Sequence, residues 1–199
     1  MLHQALPWIS GQGNAHSETM DDVSLTKGPM GIAKRLILLS CIGGMCVGCD
    51  QVTKGYVKSE LPEPLTLSYF GNAIRLQYEE NSGGMLSFGA NLSNASRYLL
   101  LTVLVGVSLF AFALFALFSH RLDLFHLVGF SLIVGGGFSN LLDRISNNGA
   151  VIDFLVIRVG DIQTAIFNFA DVAILTGVVI LLTSLYRKSE TRFSKSKPS

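Results

Sequence analysis

The chain has 199 residues, 49% of them hydrophobic and 15% charged, and its mean hydropathy is +0.46, a balance that fits one compact membrane module. The 15 basic and 14 acidic residues leave a formal charge of +1, far from the basic excess of a protein that neutralises many phosphates, so nucleic acid is not an expected partner. Three cysteines, Cys41, Cys46 and Cys49, cannot make the even-numbered framework of a small secreted disulfide scaffold.

Residues 1–33 are polar, include Asp21 and Asp22, and show neither a helical nor an alternating apolar period. The expectation is a disordered cytoplasmic tail outside the fold. The stretch lacks the charged start and early apolar run of a signal peptide, and Met20 and Met30 are alternative starts. Residues 34–186 are expected to form the membrane domain and 187–199 a basic cytoplasmic tail.

Four apolar stretches set the fold class. Tyr98 to Phe118 is free of charge over 21 residues, enough for about 30 Å of helix and one hydrocarbon crossing. Leu124 to Leu142 is a second such stretch, and Thr164 to Tyr186 a third whose only charge is Asp171. Leu36 to Cys49 is shorter, but Lys34 and Arg35 before it and Lys54 after it are expected to snorkel to the two surfaces. The result is an all-α polytopic membrane protein of four transmembrane helices.

Basic residues orient it. Lys27, Lys34, Arg35, Arg121, Arg187, Lys188, Arg192, Lys195 and Lys197 flank or connect the spans on one side, nine of the 15, which makes both termini cytoplasmic. Gln51–Arg97 and Asp143–Gln163 then face outward. In the first of these, Leu65, Leu67, Tyr69 and Ile74, Leu76, Tyr78 alternate across Gly71-Asn72, the pattern of a small extracytoplasmic β-hairpin.

Polar residues within a span cost about 2.5–3.5 kcal/mol for a central Asp and require a reason. Asp171 falls some 9 Å into the fourth apolar stretch, and Asn168 shares its helical face. Asn140, Asp143 and Arg144 form a second stripe at i, i+3 and i+4 near the same outer surface. Asp153 lies in the connection between these helices, which is short enough to bring it to Asp171. Two carboxylates held close share a proton, so one activates water while the other polarises a carbonyl. The plainer reading makes Asp143 and Arg144 an interfacial ion pair and Asp171 a packing hydrogen bonder. A transporter or membrane scaffold built on an intramembrane polar stripe is the alternative function.

Other signals resolve to packing. Cys41-x4-Cys46-x2-Cys49 lacks a fourth ligand for an iron–sulfur cluster. Gly135-Gly136-Gly137 lacks the Lys-Ser/Thr ending of a phosphate loop, and small residues in a membrane helix serve close packing. His120 and His126 lack the arrangement of a zinc peptidase, so no metal is expected.

Asp50-Gln51-Val52-Thr53-Lys54, Asn81-Ser82-Gly83, Gly135 to Arg144, Val151-Ile152-Asp153-Phe154 and Phe167-Asn168-Phe169-Ala170-Asp171 resemble, in order and spacing, the signature blocks of signal peptidase II. The resemblance covers residues 34 to about 186. It implies an aspartic endopeptidase of the bacterial inner membrane that works at the outer bilayer surface without a cofactor. Its partners would be membrane lipids and diacylglyceryl-modified prolipoproteins, cut before the lipidated cysteine. Carried over, it makes Asp153 and Asp171 the catalytic pair and Asn140, Arg144 and Asn168 their support, with Asn81 on the substrate backbone. Asp50, Lys54, Gly83, Gly136 and Asp143 would be structural or lipid-adjacent; Asp50 and Lys54 are also spaced for a simple helix-end ion pair. The chain departs from the family pattern at Met85-Leu86, usually Ala-Phe, and at Ser139, usually Gly. These departures bear on substrate fit.

Overall fold

The structure, a computed structural model, describes residues 30–61, 64–84, 89 and 91–195, with side chains to 187. Most of the N-terminal stretch and Met85-Leu86 lie outside the described residues. Four helices, α1 (Ile32–Glu60), α2 (Asn94–Phe118), α3 (Leu124–Ser146) and α4 (Phe169–Lys195), are long and apolar enough to cross a membrane. Four strands, β1 (Thr66–Tyr69), β2 (Ile74–Asn81), β3 (Val151–Val159) and β4 (Ile162–Gln163), form one antiparallel sheet in that order.

Helix α1 is longer than its uncharged core because Asp50 and Lys54 continue it rather than end it. Ser93 caps α2, accepting a hydrogen bond from Ser96 N at 3.2 Å, and a π-helical turn over Leu99–Leu104 interrupts it. Asp123 caps α3 through His126 N at 3.0 Å. These side chains satisfy backbone donors that a helix start leaves unpaired.

Helix α3 packs against the other three, and its glycine run shows how. Successive helical residues point about 100° apart. A Cβ at Gly135 would lie 2.7 Å from Gly43 Cα on α1, one at Gly136 2.5 Å from Ala170 O on α4, and one at Gly137 2.5 Å from a Leu109 methyl on α2. Three adjacent glycines thus admit three different helices to near backbone contact, as the packing reading anticipated. Outward-facing Val107, Phe110, Phe118, Leu175 and Leu182 remain exposed, a continuous apolar surface that a bilayer covers.

The sheet sits on the end of the bundle where α1 and α3 finish and α2 and α4 begin. Val57 of α1, Leu61 just beyond its end and Phe154 of β3 form its buried seat, with Leu76, Tyr78 and Leu155 packed around them. Phe154 also meets the ring of Phe169 edge-on, centroids 5.3 Å apart. The expected hairpin is present, Tyr69 opposite Ile74, its turn formed by Phe70, Gly71 and Asn72, all at positive φ. The segment expected to be a simple outward connection is instead the third and fourth strands. Its run Val151–Ile157 is β-branched and apolar, and pairing with β2 satisfies its backbone.

At the opposite end, Arg35 does not snorkel: it is 1% exposed. Its guanidinium donates to the carbonyls of Ala116 at 3.2 Å, Ser119 at 2.6 Å, Leu122 at 3.3 Å and Met30 at 2.8 Å. The charge thereby completes the carbonyls left open at the end of α2 and ties the start of α1 to the turn between α2 and α3.

Candidate active site

Asp153 reaches the bundle from the sheet. The turn before β3 is made by Asn148 and Gly149, both in the left-handed region, which Asn and Gly adopt at least cost. Pairing with β2 then sets Asp153 opposite Glu79, just past a register shift between Leu76 and Glu79. Alternation along the strand buries Phe154 in the seat while Asp153, 3% exposed, faces the helix ends. Its Oδ2 accepts from Asn81 Nδ2 at 3.0 Å and its Oδ1 from Asn168 Nδ2 at 2.7 Å. Burial pushes its carboxyl up to about 6, aided by the charge of nearby Asp171 and opposed by the Asn81 and Asn168 hydrogen bonds and the Lys54 charge.

Asp171 stands in the first turn of α4, since the helix begins at Phe169 rather than at Thr164. The preceding residues pair with β3, Phe167 N donating to Leu155 O at 3.0 Å. Asn168 is therefore the cap rather than a residue on the same helical face. Its Oδ1 accepts from Asp171 N at 2.9 Å while Asp171 Oδ2 accepts from Asn168 N at 3.2 Å, a reciprocal capping box. A carboxylate is favoured here by the positive end of the helix, which offsets part of the cost of placing it at a bilayer edge.

Two amides connect the aspartates. Asn168 Nδ2, fully buried, also lies 3.1 Å from Asn140 Oδ1, and Asn140 Nδ2 donates to Asp171 Oδ1 at 2.9 Å. All four carboxylate oxygens of Asp153 and Asp171 thus receive a hydrogen bond from Asn81, Asn140 or Asn168.

The polar stripe on α3 divides its tasks. Asp143 makes no ion pair with Arg144; it pairs with Lys54 at 2.8 Å, accepts from Gln51 Nε2 at 2.7 Å and holds Ile152 N at 3.1 Å. Asp143 therefore fixes the backbone beside Asp153. Arg144 donates to Gly83 O and Gly149 O, each at 2.8 Å. Gly83 N in turn donates to Asn81 Oδ1 at 2.9 Å, which holds the Asn81 amide with its nitrogen toward Asp153.

Asp50 and Lys54 form the expected i, i+4 pair, at 2.6 Å, but both are essentially fully buried, not at an exposed helix end, and Lys54 does not snorkel. Asp50 Oδ1 accepts from Ala170 N at 3.0 Å, pinning the residue next to Asp171. Ser139 belongs to this cluster too, donating to Asp50 Oδ2 at 2.7 Å and accepting from Gln51 at 3.1 Å. Its hydroxyl therefore serves α1–α3 packing. Gln51 was not singled out from the sequence, although its position three residues before Lys54 on the same helical face was a usable signal.

Among the described residues, every fully buried side-chain nitrogen and oxygen has a partner, and no three His, Cys, Asp or Glu side chains converge as a metal site. A cavity of about 270 Å³ is lined by Ser82, Asn94, Arg97, Tyr98, Asn148 and Gly149, the last of which accepts a hydrogen bond from Arg144. Its walls do not include either aspartate.

Residues 42–187 match the family model described as Signal peptidase (SPase) II. A lipoprotein signal peptidase of Streptococcus pneumoniae is 31% identical over 156 residues, 78% of this chain and 96% of that one. One of Caldicellulosiruptor bescii is 38% identical over 152 residues, 75% and 91% of the two chains. A solved bacterial membrane enzyme superposes with a TM-score of 0.68 at 23% identity, covering 84% of this chain and 94% of the other. That last likeness concerns the fold.

Proposed function

From the premise that the chain belongs to the signal peptidase II family, we propose that it removes signal peptides from prolipoproteins, with Asp153 and Asp171 as the catalytic pair. The supporting observation is their setting: two carboxylates from different elements, joined through the Asn140 and Asn168 amides at one end of a membrane bundle, Asp153 buried and Asp171 half-buried. The pair holds one proton between them. The ionised carboxylate takes a proton from a water molecule, which attacks the scissile carbonyl, while the protonated one donates to that carbonyl oxygen. The proton taken from water then passes from the first carboxylate to the leaving nitrogen as the C–N bond breaks, and the second carboxylate recovers its proton as the carbonyl re-forms. Which aspartate starts with the proton is a property of the pair.

The bond cut is the one before a diacylglyceryl-cysteine. The lipid chains of such a substrate lie in the bilayer, so the scissile bond is held at the interface, the level at which the sheet meets the helix ends. The excess of basic residues at the other end supports a site on the outer face of the cytoplasmic membrane with both termini inside. Asn81 donates to Asp153 at the edge of the pair, and the contact with the substrate backbone is the role that the family resemblance gives it. A proton or ion relay favours carboxylates within the spans, whereas Asp153 is delivered by a strand, which supports the peptidase reading over transport. The test is incubation of the purified chain with a lipid-modified prolipoprotein and with the same substrate lacking lipid. Cleavage of the first alone is expected; equal cleavage of both removes the lipid-directed specificity, and cleavage of neither removes the activity.

A further inference from the structure

We propose that Lys54 is a positioning residue for the aspartate pair, its ammonium group fixing which way the Asn140 amide points and so holding an N–H against Asp171. This rests on the aspartate-pair reading above. Lys54 Nζ lies 2.6 Å from Asp50 Oδ2, 2.8 Å from Asp143 Oδ2 and 3.0 Å from Asn140 Oδ1. An ammonium has three hydrogens and no acceptor, so the three contacts exhaust it and the Asn140 atom that faces it must be oxygen.

The consequence propagates in one direction. With Oδ1 committed to Lys54, and also accepting from Asn168 at 3.1 Å, Nδ2 of Asn140 is left to donate to Asp171 Oδ1 at 2.9 Å. An amide reversed at this position would present an oxygen to Asp171 and favour its protonated form, and it would face Asn168 Nδ2 with a second donor. Lys54 thus imposes a polarity on the chain of amides that ends at both carboxylates. Its partner Asp50 acts in parallel, holding Ala170 N and hence the turn that carries Asp171. Two residues one helical turn apart on α1 therefore hold Asp171 from two sides without touching it. Lys54 also adds charge: the ionisable groups around the pair are Asp50 and Lys54 on α1, Glu79 opposite Asp153 on β2, Asp143 and Arg144 on α3, and Asp153 and Asp171 themselves.

The experiment compares Lys54→Met with wild type in cleavage of a lipid-modified prolipoprotein across pH, alongside thermal unfolding. Removing the cation leaves Asp50 and Asp143 as a buried like-charge pair, so the charge-balanced double variant Asp50→Asn/Lys54→Met is made as well, with Asp50→Asn as its reference. In whichever of these folds, we expect kcat lower by at least about tenfold with KM within about twofold. The pH at which activity is half-maximal on the acid side should rise by about one unit, because the lost charge favoured ionised carboxylates. Combining Lys54→Met with Asn140→Ala should lower kcat by clearly less than the product of the two single effects, since the orientation of the amide passes through Asn140, while the charge effect persists as the shifted pH profile. A loss of activity that follows only the folded fraction, with kcat per folded molecule and pH profile unchanged, would overturn the proposal, as would additive effects in the combined variant. Wild type and Asp171→Asn run in the same assay separate this from the parent reading: activity in Asp171→Asn counts against the aspartate pair itself.

Discussion

Asp153 is withdrawn from water yet surrounded by donors, and those two influences pull its proton affinity in opposite directions. Burial wins, placing it near 6, and two measurable effects follow. Activity should rise as pH increases through about 6, because the pair must lose one proton to supply a base. Stability should move the other way. The folded value lies above the ordinary 3.8, so between the two the folded chain binds more protons than the unfolded one. The contribution is intact below 3.8 and is lost as pH rises through 6, by about 3 kcal/mol at most. Thermal unfolding between pH 4 and 7 should show this decline in wild type and a flatter profile in Asp153→Asn; an identical slope in both would exclude Asp153 as its source. In the prolipoprotein assay Asp153→Asn and Asp171→Asn should each abolish turnover while inserting normally, and the double variant should be no worse than either, since groups that act together lose their effect together. Asp143→Asn should retain turnover. It keeps an oxygen for Ile152 N but loses the charge facing Lys54, so the expected change is in stability, with folded-fraction-corrected kcat within about tenfold of wild type.

At the scale of elements, what the sequence made legible depended on whether a signal was local. Span length and charge-free runs are local, and all four helices were found. The β1–β2 hairpin was legible from period-two alternation around Gly71-Asn72. Strand β3 was not recognised, because a run buried on both faces shows no alternation and resembles any apolar segment; its β-branched residues between Asn148-Gly149 and Gly160 were the available clue. The start of α4 was misplaced by five residues for a related reason: Thr164–Asn168 are apolar enough to extend a span, but long-range pairing with Leu155 claims Phe167. Arg35 and Lys54 were misread because snorkelling is the default for a cation near a span end, and only tertiary contacts reveal the carbonyls and carboxylates that replace water. The packing of α3 on α4 offers a sharp test. A methyl at Gly136 meets Ala170 O, a backbone atom that moves only with the helix, one residue from Asp171. Gly136→Ala should therefore destabilise by about 1–3 kcal/mol and lower kcat, while Gly44→Ala, which meets nothing within 4 Å, should do neither. Equal behaviour of the two variants in unfolding and cleavage would show that α3 and α4 do not pack this closely.

At the scale of the molecule, the four spans among the described residues put the start of α1 and the end of α4 at one end of the bundle, and the sheet with the aspartates at the other. Which end faces the cytoplasm is set by charge, not by packing. Nine basic residues lie in the termini and the α2–α3 turn, against Lys54, Lys58, Arg75, Arg97, Arg144 and Arg158 toward the sheet. Setting aside the cations held by the fold on either side, Arg35 on four carbonyls, Lys54 in an ion cluster and Arg144 on two carbonyls, leaves eight against four, and the basic residues beyond Tyr186 follow the last span directly. Retention of positive charge on the cytoplasmic side therefore predicts that the sheet lies outside. After replacing Cys41, Cys46 and Cys49, single cysteines at Ser68 on β1 and His120 in the α2–α3 turn, both exposed positions, report the two faces. In intact spheroplasts an impermeant maleimide should label Ser68→Cys and spare His120→Cys until the membrane is opened. The reverse pattern would put the aspartates on the cytoplasmic face, where a signal peptide's lipidated junction is not presented, and the proposed reaction would have no substrate within reach.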